Sequence, residues 1–165
     1  YSGAIADYTK AIEIDPNYAV LAYYNRGNSK YYLEDYNGAI ADYNKAIELK
    51  PNDAKNYVNR GLSKDAIEDY NGAIADYTKA IELKPNYALA YTNRGAVKST
   101  LEDYNGAIAD HTKAIEIDPN YANAYHNRSD SKESIGDLNG ACDDAKKAIN
   151  LGSTTSVKWF AENCN

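Results

Sequence analysis

The heptapeptide Tyr-Asn-Gly-Ala-Ile-Ala-Asp occurs at Tyr36–Asp42, Tyr70–Asp76 and Tyr104–Asp110, each copy 34 residues after the one before. A degraded copy occupies Leu138–Asp144, and a partial copy lies at Ser2–Asp7. Repetition at a period of this length is typical of two-helix units that stack on their neighbours. The repeat therefore predicts an all-α protein before any local pattern is considered.

One unit, Ala54–Tyr87, shows how the pattern predicts two helices. Tyr57 and Gly61 are spaced to share one side of a first helix, and Asp69 is of the residue type that caps a second. The second helix has apolar residues at intervals of three and four, at Ala73, Ile74, Tyr77, Ala80 and Ile81. Pro85 ends this helix, because the residue before a proline is disfavoured in the helical conformation.

This unit resembles the tetratricopeptide repeat, whose signature is an aromatic residue, Leu-Gly, then Ala, an aromatic, Ala and Pro. The first aromatic place holds Tyr23, Tyr57, Tyr91 and Tyr125. The glycine place holds Gly27, Gly61, Gly95 and Ser129. The later places hold Ala39, Ala73, Ala107 and Ala141, then Tyr43, Tyr77, His111 and Ala145, then Ala46, Ala80, Ala114 and Ala148. Pro16, Pro51, Pro85 and Pro119 close the units.

The resemblance covers residues 1–153 and implies a right-handed α-solenoid of stacked helix-turn-helix repeats. We predict one domain, 1–165, in which 1–19 is a partial repeat with only its second helix. The complete repeats are predicted at 20–53, 54–87, 88–121 and 122–153, with a capping helix at 154–165. The interval between the proline and the Asn-Arg pair is one residue longer in the first complete repeat than in the next, so one residue near Val20 or Leu21 is extra. Either the helix start or the preceding loop absorbs this residue, or it alters the angle between the first two repeats.

The chain departs from the family signature at regular places. Arginines replace the usual Leu at Arg26, Arg60, Arg94 and Arg128, and Glu34, Glu68 and Glu102 replace the glycine between helices. Aspartates recur at the same period, at Asp42, Asp76, Asp110 and Asp144. Opposite charges in register predict an ion-pair ladder between helices. The alternative is an arginine row that binds an acidic ligand.

The two ends are predicted to differ. Thr154 or Thr155 is placed to cap a last helix that turns Val157, Trp159 and Phe160 toward the final repeat. At the other end, residues 1–15 lack their own first helix, so an apolar face is expected to associate with another copy. The residues of this oligomer contact are Ile5, Tyr8 and Ile12.

Cys142 and Cys164 lie at similar distances on either side of the Gly152–Ser153 turn, so a disulfide between them is geometrically reachable. Such a bridge implies an extracytoplasmic location. The alternative is that Cys142 fills the core place of Ile40, Ile74 and Ile108. Without a bridge the sequence slightly favours the cytoplasm.

In tetratricopeptide-like stacks the first helices line a concave groove where partner peptides bind, and the resemblance implies the same here. The predicted groove residues are Tyr24, Asn25, Asn28, Lys55, Val58, Asn59, Leu62, Leu89, Asn93, Ala96, His126 and Asn127. The Asn ladder can hold the backbone of an extended peptide, because an amide donates and accepts hydrogen bonds. The alternative is that these amides bridge neighbouring helices. The basic residues of a chaperone-type carboxylate clamp are mostly missing, so we do not predict binding to chaperone C-termini.

Charge and composition argue against several other functions. The net charge of −6 disfavours nucleic acid as a partner, and no apolar stretch approaches the roughly 20 residues of a membrane span. The two histidines, His111 and His126, lack metal-ligand spacing, and no phosphate-binding loop is present. We therefore predict no enzyme activity, no cofactor and no metal site.

The sequence thus predicts a non-enzymatic scaffold that binds a peptide or protein segment in the groove. One alternative is a structural module that assembles with copies of itself through the N-terminal helix. Another is a regulatory arm of a larger protein.

Overall fold

A computed structural model describes residues 1–16 and 19–164, and this part of the chain contains ten helices and no strand. The helices are α1 (Ser2–Ile14), α2 (Val20–Tyr32), α3 (Tyr36–Leu49), α4 (Ala54–Ala66), α5 (Tyr70–Leu83), α6 (Ala88–Thr100), α7 (Tyr104–Ile117), α8 (Ala122–Ser134), α9 (Leu138–Asn150) and α10 (Ser156–Asn163).

The chain divides into two compact units, Tyr1–Pro85 and Asn86–Asn165, called unit 1 and unit 2 below. In unit 1, α2 packs on α3 and α4 packs on α5, while α3 also contacts α4 and α1 contacts α2. In unit 2, α6 packs on α7 and α8 packs on α9, while α7 contacts α8 and α10 contacts α9. Each unit is therefore built from helix pairs that contact their sequence neighbours.

The second helix of each pair begins at an aspartate cap. The side chains of Asp35, Asp69, Asp103 and Asp137 each accept a hydrogen bond from the backbone N–H of the glycine three residues later. This bond satisfies one of the N–H groups that a helix start leaves without a partner, and a cap of this kind stabilises by about 1 kcal/mol. The prediction that Asp69 caps α5 is confirmed.

In three of the four helix pairs, the first helix has a glycine where the second helix makes a close contact with it. A Cβ atom on Gly27 would lie 2.8 Å from the Tyr43 ring, and one on Gly61 would lie 2.7 Å from Tyr77. A Cβ atom on Gly95 would lie 2.6 Å from the ring of His111. The aromatic ring of the second helix therefore packs directly on the backbone of the first.

The predicted ion-pair ladder is confirmed, and a lysine joins it. In each repeat, Nε and Nη2 of the arginine donate to both oxygens of the aspartate, at distances of 2.5–2.9 Å. The lysines Lys30, Lys64, Lys98 and Lys132 contact the same carboxylates at 2.8 Å. The arginine carbons also lie 5.5–5.7 Å from the ring centroids of Tyr23, Tyr57, Tyr91 and Tyr125. Because these aspartates are buried and bidentate, the ladder holds each helix pair in register.

The turns between paired helices require a left-handed residue. Glu34, Glu68 and Glu102 adopt φ values of 61–63°, and Gly136 adopts 82° at the corresponding place. A side chain in this conformation is about 1–2 kcal/mol less favourable than glycine. The left-handed turn is therefore present in all four helix pairs, although only one of the four residues is a glycine.

The extra residue before the first complete repeat lies outside α2. Val20 begins α2 and Ala54 begins α4, and both helices contain 13 residues with the Asn-Arg pair at the same internal places. The connection from Pro16 to α2 therefore absorbs the extra residue, and its residues 17 and 18 lie outside the described part of the chain.

The C-terminal end is a short helix covalently joined to α9. Gly152 has a φ of 94° after α9, and α10 follows with Thr155 as its N-cap but without a side-chain capping bond. Trp159 and Phe160 are half-buried, but Val157 is 48% exposed, so its predicted packing on the last repeat is wrong. Cys142 and Cys164 form a disulfide, so the predicted bridge is confirmed and the alternative, a free Cys142 that fills the core, is wrong.

Candidate functional site

The repeats differ from one another mainly on one side of their first helices. The second helices α3, α5 and α7 differ only at the places of Tyr43, Asn44 and Leu49. By contrast, α2, α4, α6 and α8 carry four different residues at each of the places of Tyr24, Asn28, Tyr31 and Tyr32. Spacings of three and four put these places on one side of a helix, called the first-helix side below.

In unit 1 this side contains a small cavity of about 80 Å³, called the Tyr43 cavity. It is lined by Asn28, Tyr31, Tyr32, Tyr43, Asn59 and Leu62. The Asn28 Oδ1 atom accepts hydrogen bonds from the Tyr43 hydroxyl at 2.7 Å and from Asn59 Nδ2 at 2.8 Å. Asn59 also donates to the Tyr24 hydroxyl at 3.1 Å, so its amide bridges α4 to α2. At Asn59 the structure therefore bears out the bridging alternative for the Asn ladder.

Unit 2 contains a cavity at the same register, about 150 Å³ in volume, called the His111 cavity. It is lined by Ala96, Ser99, His111, Asn127 and Asp130. Each of these residues lies 68 positions after a residue that lines the Tyr43 cavity, so the two cavities occupy equivalent places. The imidazole of His111 is 0% exposed, and neither ring nitrogen has a hydrogen-bond partner among the described residues.

The electrostatics of the His111 cavity keep its histidine neutral. Burial lowers the pKa of the His111 imidazole to about 4, against the opposing effect of the neighbouring Asp110 carboxylate. Partial desolvation raises the pKa of the Asp130 carboxyl, which remains 59% exposed and lies 3.7 Å from His126 Nε2. At neutral pH the cavity therefore combines a neutral imidazole with a carboxylate.

Unit 1 has a second, larger cavity of about 330 Å³ at the N-terminal ends of α2 and α4. Its lining residues are Val20, Leu21, Tyr24, Lys50, Asp53, Lys55 and Asn56. It brings together Tyr24 and Lys55, two of the predicted groove residues. The lining of this larger cavity includes charged side chains, whereas the lining of the Tyr43 cavity is uncharged.

The other predicted residues are placed as follows. Val58 is 0% exposed, so a ligand on the surface does not reach it, whereas Leu89 is exposed. The Asn93 amide nitrogen is buried without a partner among the described residues. The His126 ring lies 3.1 Å from the Ser156 hydroxyl, which links it to α10. Asn25 lines a different cavity, together with Tyr8 of α1.

The predicted oligomer contact is only partly exposed. Ile5 and Tyr8 are half-buried, and Ile12 is buried at 8% exposure. The large exposed side chains in this region are Tyr1, which precedes α1, and Ile14, which ends it. The ring of Tyr1 stacks on that of Tyr32, with 4.9 Å between the ring centroids. Ile12 therefore packs within unit 1, because it lies on the side of α1 that faces α2.

The sequence reasoning missed that second-helix residues form the floors of both cavities. Tyr43 and His111 hold the second aromatic place of the repeat signature, and both are buried. The available signal was the glycine opposite each ring, because Gly27 and Gly95 leave space through which the ring reaches the first-helix side. Among the described residues no group of three or more His, Cys, Asp or Glu is placed to hold a metal. No helix in this part of the chain is long and apolar enough to cross a membrane.

Family models match more than half of the chain. The model described as "Tetratricopeptide repeat" matches residues 20–53 and 88–121, and the model described as "TPR repeat" matches 66–101. No curated protein sequence matches the chain.

Solved structures resemble the chain over most of its length. The crystal structure of MamA is 29% identical with a TM-score of 0.84, and the match covers 91% of this chain and 87% of MamA. The YrrB structure is 23% identical with a TM-score of 0.78, covering 96% of this chain and 81% of YrrB. The first TPR of Spaghetti (RPAP3) is 24% identical with a TM-score of 0.69, covering 71% and 93%.

The family models and the structural matches agree with the helix pairs, close contacts and turns described above. The predicted fold class, an all-α solenoid of helix-turn-helix repeats with a C-terminal capping helix, is confirmed. The chain belongs to the tetratricopeptide repeat family.

Proposed function

We propose that the chain is a non-enzymatic scaffold that binds a peptide or protein segment on its first-helix side. The observation that carries this proposal is the internal variation of the repeats. The Ala39 and Ala46 places and the Arg26–Asp42 pair recur in all four repeats. By contrast, the places of Asn28, Tyr31 and Tyr32 are at least partly exposed and hold different residues in all four first helices. A surface that varies on a fixed frame is what recognition of a non-repetitive partner requires.

Known relatives support the proposal at the level of function class. The YrrB structure is described as a TPR protein with an unusual peptide-binding site, and the RPAP3 domain was solved bound to the HSP90 peptide SRMEEVD. The matched family models describe repeats and not an enzyme. The place of a clamp cation is held by Tyr24, Val58 and Thr92, so the segment proposed here differs from an acidic C-terminal peptide.

A peptide-library screen tests this proposal. Leu62→Lys and Ala96→Lys each put a charge into the lining of one cavity, the Tyr43 cavity and the His111 cavity respectively. We expect each to lower the affinity of selected peptides at least about tenfold. The matched controls are Ile67→Lys and Leu101→Lys, because these exposed side chains follow α4 and α6 outside the first-helix side. Failure to select any peptide, or equal losses in the controls, would contradict the proposal.

A second candidate function is self-association through α1, and a cavity supports it. This cavity of about 350 Å³ is lined by Tyr8, Ala11, Asp15, Ala19, Leu21, Ala22 and Asn25. It is mostly apolar and lies between α1 and α2. Light-scattering mass over a wide concentration range tests the candidate. We expect a dimer or larger species that Ile5→Asp and Tyr8→Asp together convert to monomer, and a monomer at every concentration would rule it out.

A further inference from the structure

We propose that the His111 cavity receives the cationic end of a lysine or arginine side chain from the bound segment. The inference rests on the proposed function and names the chemistry that one part of the surface selects. The carrying observation is a fully buried imidazole that has no hydrogen-bond partner among residues 1–16 and 19–164, at the floor of a cavity whose lining includes the Asp130 carboxylate.

The cavity is a built polar site and not a gap in the packing. A buried polar atom without a partner is disfavoured by about 1–3 kcal/mol, and a donor group entering the cavity can pair with the one His111 nitrogen that carries a lone pair. At about 30 Å³ per water molecule, the volume of about 150 Å³ holds roughly five waters or one side-chain head group. One side chain of a bound segment therefore fits the cavity, whereas a folded element does not.

Four of the lining side chains carry an acceptor, and Asp130 carries no donor when it is ionised. A neutral imidazole presents one nitrogen lone pair, Asp130 presents a carboxylate, and Asn127 and Ser99 each present an oxygen. The Ser99 hydroxyl lies 2.8 Å from that of Ser131, so one of the two already donates to the other. An ammonium or guanidinium group has only donors and therefore matches this set.

Charge around the cavity has the same preference. Asp130 and Glu133 are exposed on the first-helix side of α8, and the two cations of that helix, Arg128 and Lys132, contact Asp144. On the other pair, Arg94 and Lys98 contact Asp110. His126 is the one further titratable group beside Asp130 among the described contacts. An anionic side chain would meet the Asp130 carboxylate without a cation available to offset it.

The Tyr43 cavity supplies an internal comparison. There a hydroxyl fills the place of the imidazole nitrogen, and Leu62 fills the place of Asp130. Its Asn28 oxygen already accepts two hydrogen bonds. We therefore expect no preference for a cation in unit 1.

Paired peptides test the inference by fluorescence anisotropy. Peptides selected by the library screen are remade with each Lys or Arg replaced by norleucine, and with both ends capped so that terminal charges do not contribute. We expect one basic position whose replacement weakens binding at least about tenfold. Asp130→Asn should remove most of that difference, whereas Glu133→Gln, which removes a neighbouring carboxylate outside the cavity lining, should change it less than about twofold.

A second variant and a spectroscopic measurement report on His111 itself. His111→Tyr installs the residue found at Tyr43 and Tyr77, so it preserves the packing on Gly95 while filling the cavity. Circular dichroism checks that it folds, and we expect it to lose the preference for the basic peptide. Imidazole nitrogen resonances of His111 in the wild-type chain should shift when the Lys or Arg peptide binds and remain unchanged with the norleucine peptide.

The outcomes separate this inference from the proposed function. Peptides that bind the first-helix side without any preference for a basic position would overturn the inference and leave the scaffold function in place. Resonances of His111 that do not respond to a basic peptide would also overturn it. Failure of every peptide to bind would instead overturn the scaffold function on which the inference rests.

Discussion

The Tyr43 cavity and the His111 cavity occupy the same register in units 1 and 2, but they differ in whether their polar groups are hydrogen-bonded within the protein. In unit 1 the Tyr43 hydroxyl and the Asn59 amide both donate to Asn28, so these polar groups are satisfied within the protein. In unit 2, Ala96 replaces Asn28, and both nitrogens of the buried His111 ring have no partner among the described residues. The polar groups of the Tyr43 cavity are thus paired with one another, whereas those of the His111 cavity are available to a ligand.

The hydrogen-bonding groups of the cavity linings therefore vary along the chain, while the contacts that hold each helix pair together, called the frame below, stay constant. The Arg-Asp-Lys ladder has nearly the same distances around both cavities. A difference at one cavity place, such as Ala96 in unit 2 where unit 1 has Asn28, therefore changes the available hydrogen bonds without altering the helix pair. Four predictions test how far the two units differ.

The largest effect is expected from breaking the frame. Asp76→Ala in unit 1 and Asp110→Ala in unit 2 each leave an arginine and a lysine without their buried carboxylate. We expect each to lower the free energy of unfolding by about 4 kcal/mol, because an uncompensated buried charge is strongly unfavourable. Chemical denaturation measures both losses. Equal losses would confirm a common frame, and a much smaller loss in one unit would contradict it.

Exposed ion pairs provide the control for the frame variants. Glu82→Ala and Glu116→Ala remove carboxylates that are 59% and 58% exposed and that pair with Lys79 and Lys113. We expect each to change the free energy of unfolding by less than about 0.5 kcal/mol, because exposed pairs contribute little.

The frame was largely predictable from the sequence, for a physical reason. Each of its contacts joins residue types that recur at the repeat period, such as Arg60 with Asp76 or Asp69 with its glycine. A strict period turns one recognised unit into a prediction for the whole chain. The shared role of Lys64 was missed because its partner is already paired with an arginine in the sequence pattern.

The candidate site was less predictable, because it depends on how individual side chains fill space. Val58 lies on the predicted groove side but is completely buried, and Val157 was placed against the last repeat but is exposed. His111 lies on a second helix, whereas the groove that the family resemblance predicts is lined by first helices. The groove residues as a set, the repeat boundaries and the absence of nucleic-acid binding stay predictions.

The second prediction concerns a difference between the units that lies in their covalent structure. Cys142 and Cys164 are bridged across a sequence separation of 22 residues in unit 2, and unit 1 contains no cysteine. We expect reduction, or Cys142→Ser, to lower the stability of unit 2 by about 3 kcal/mol, because the open chain gains conformational entropy when unfolded. Hydrogen exchange followed residue by residue should show the loss in α9 and α10. Equal loss of protection in unit 1 would contradict a local effect.

The third prediction uses the buried imidazole. The pKa of His111 is about 4 in the folded chain and near 6.5 when unfolded, so the unfolded state binds more protons between these values. Stability should therefore fall as the pH falls through this window, by about 2 kcal/mol between pH 7 and pH 5. Urea denaturation at both pH values measures the change.

His111→Tyr is the matched control for the pH dependence. Carboxylates elsewhere in the chain titrate in both proteins, so only the difference between wild type and variant reports on His111. We expect the variant to lack about 2 kcal/mol of the wild-type loss between pH 7 and pH 5. Identical pH dependence in the two proteins would show that the imidazole is not buried in a neutral form.

The smallest expected effect distinguishes a satisfied hydroxyl from an unsatisfied one within unit 1. The Tyr43 hydroxyl donates to Asn28, whereas the buried Tyr77 hydroxyl has no partner among the described residues, and Leu62 stands where Asn28 stands in the preceding repeat. Tyr43→Phe should therefore lower the free energy of unfolding by about 1 kcal/mol, because a net hydrogen bond is lost. Tyr77→Phe should leave stability unchanged or raise it, because a buried hydroxyl without a partner is removed. Thermal and urea denaturation of both variants make the comparison, and a cost at Tyr77 equal to that at Tyr43 would show that hydrogen bonding does not distinguish the two places.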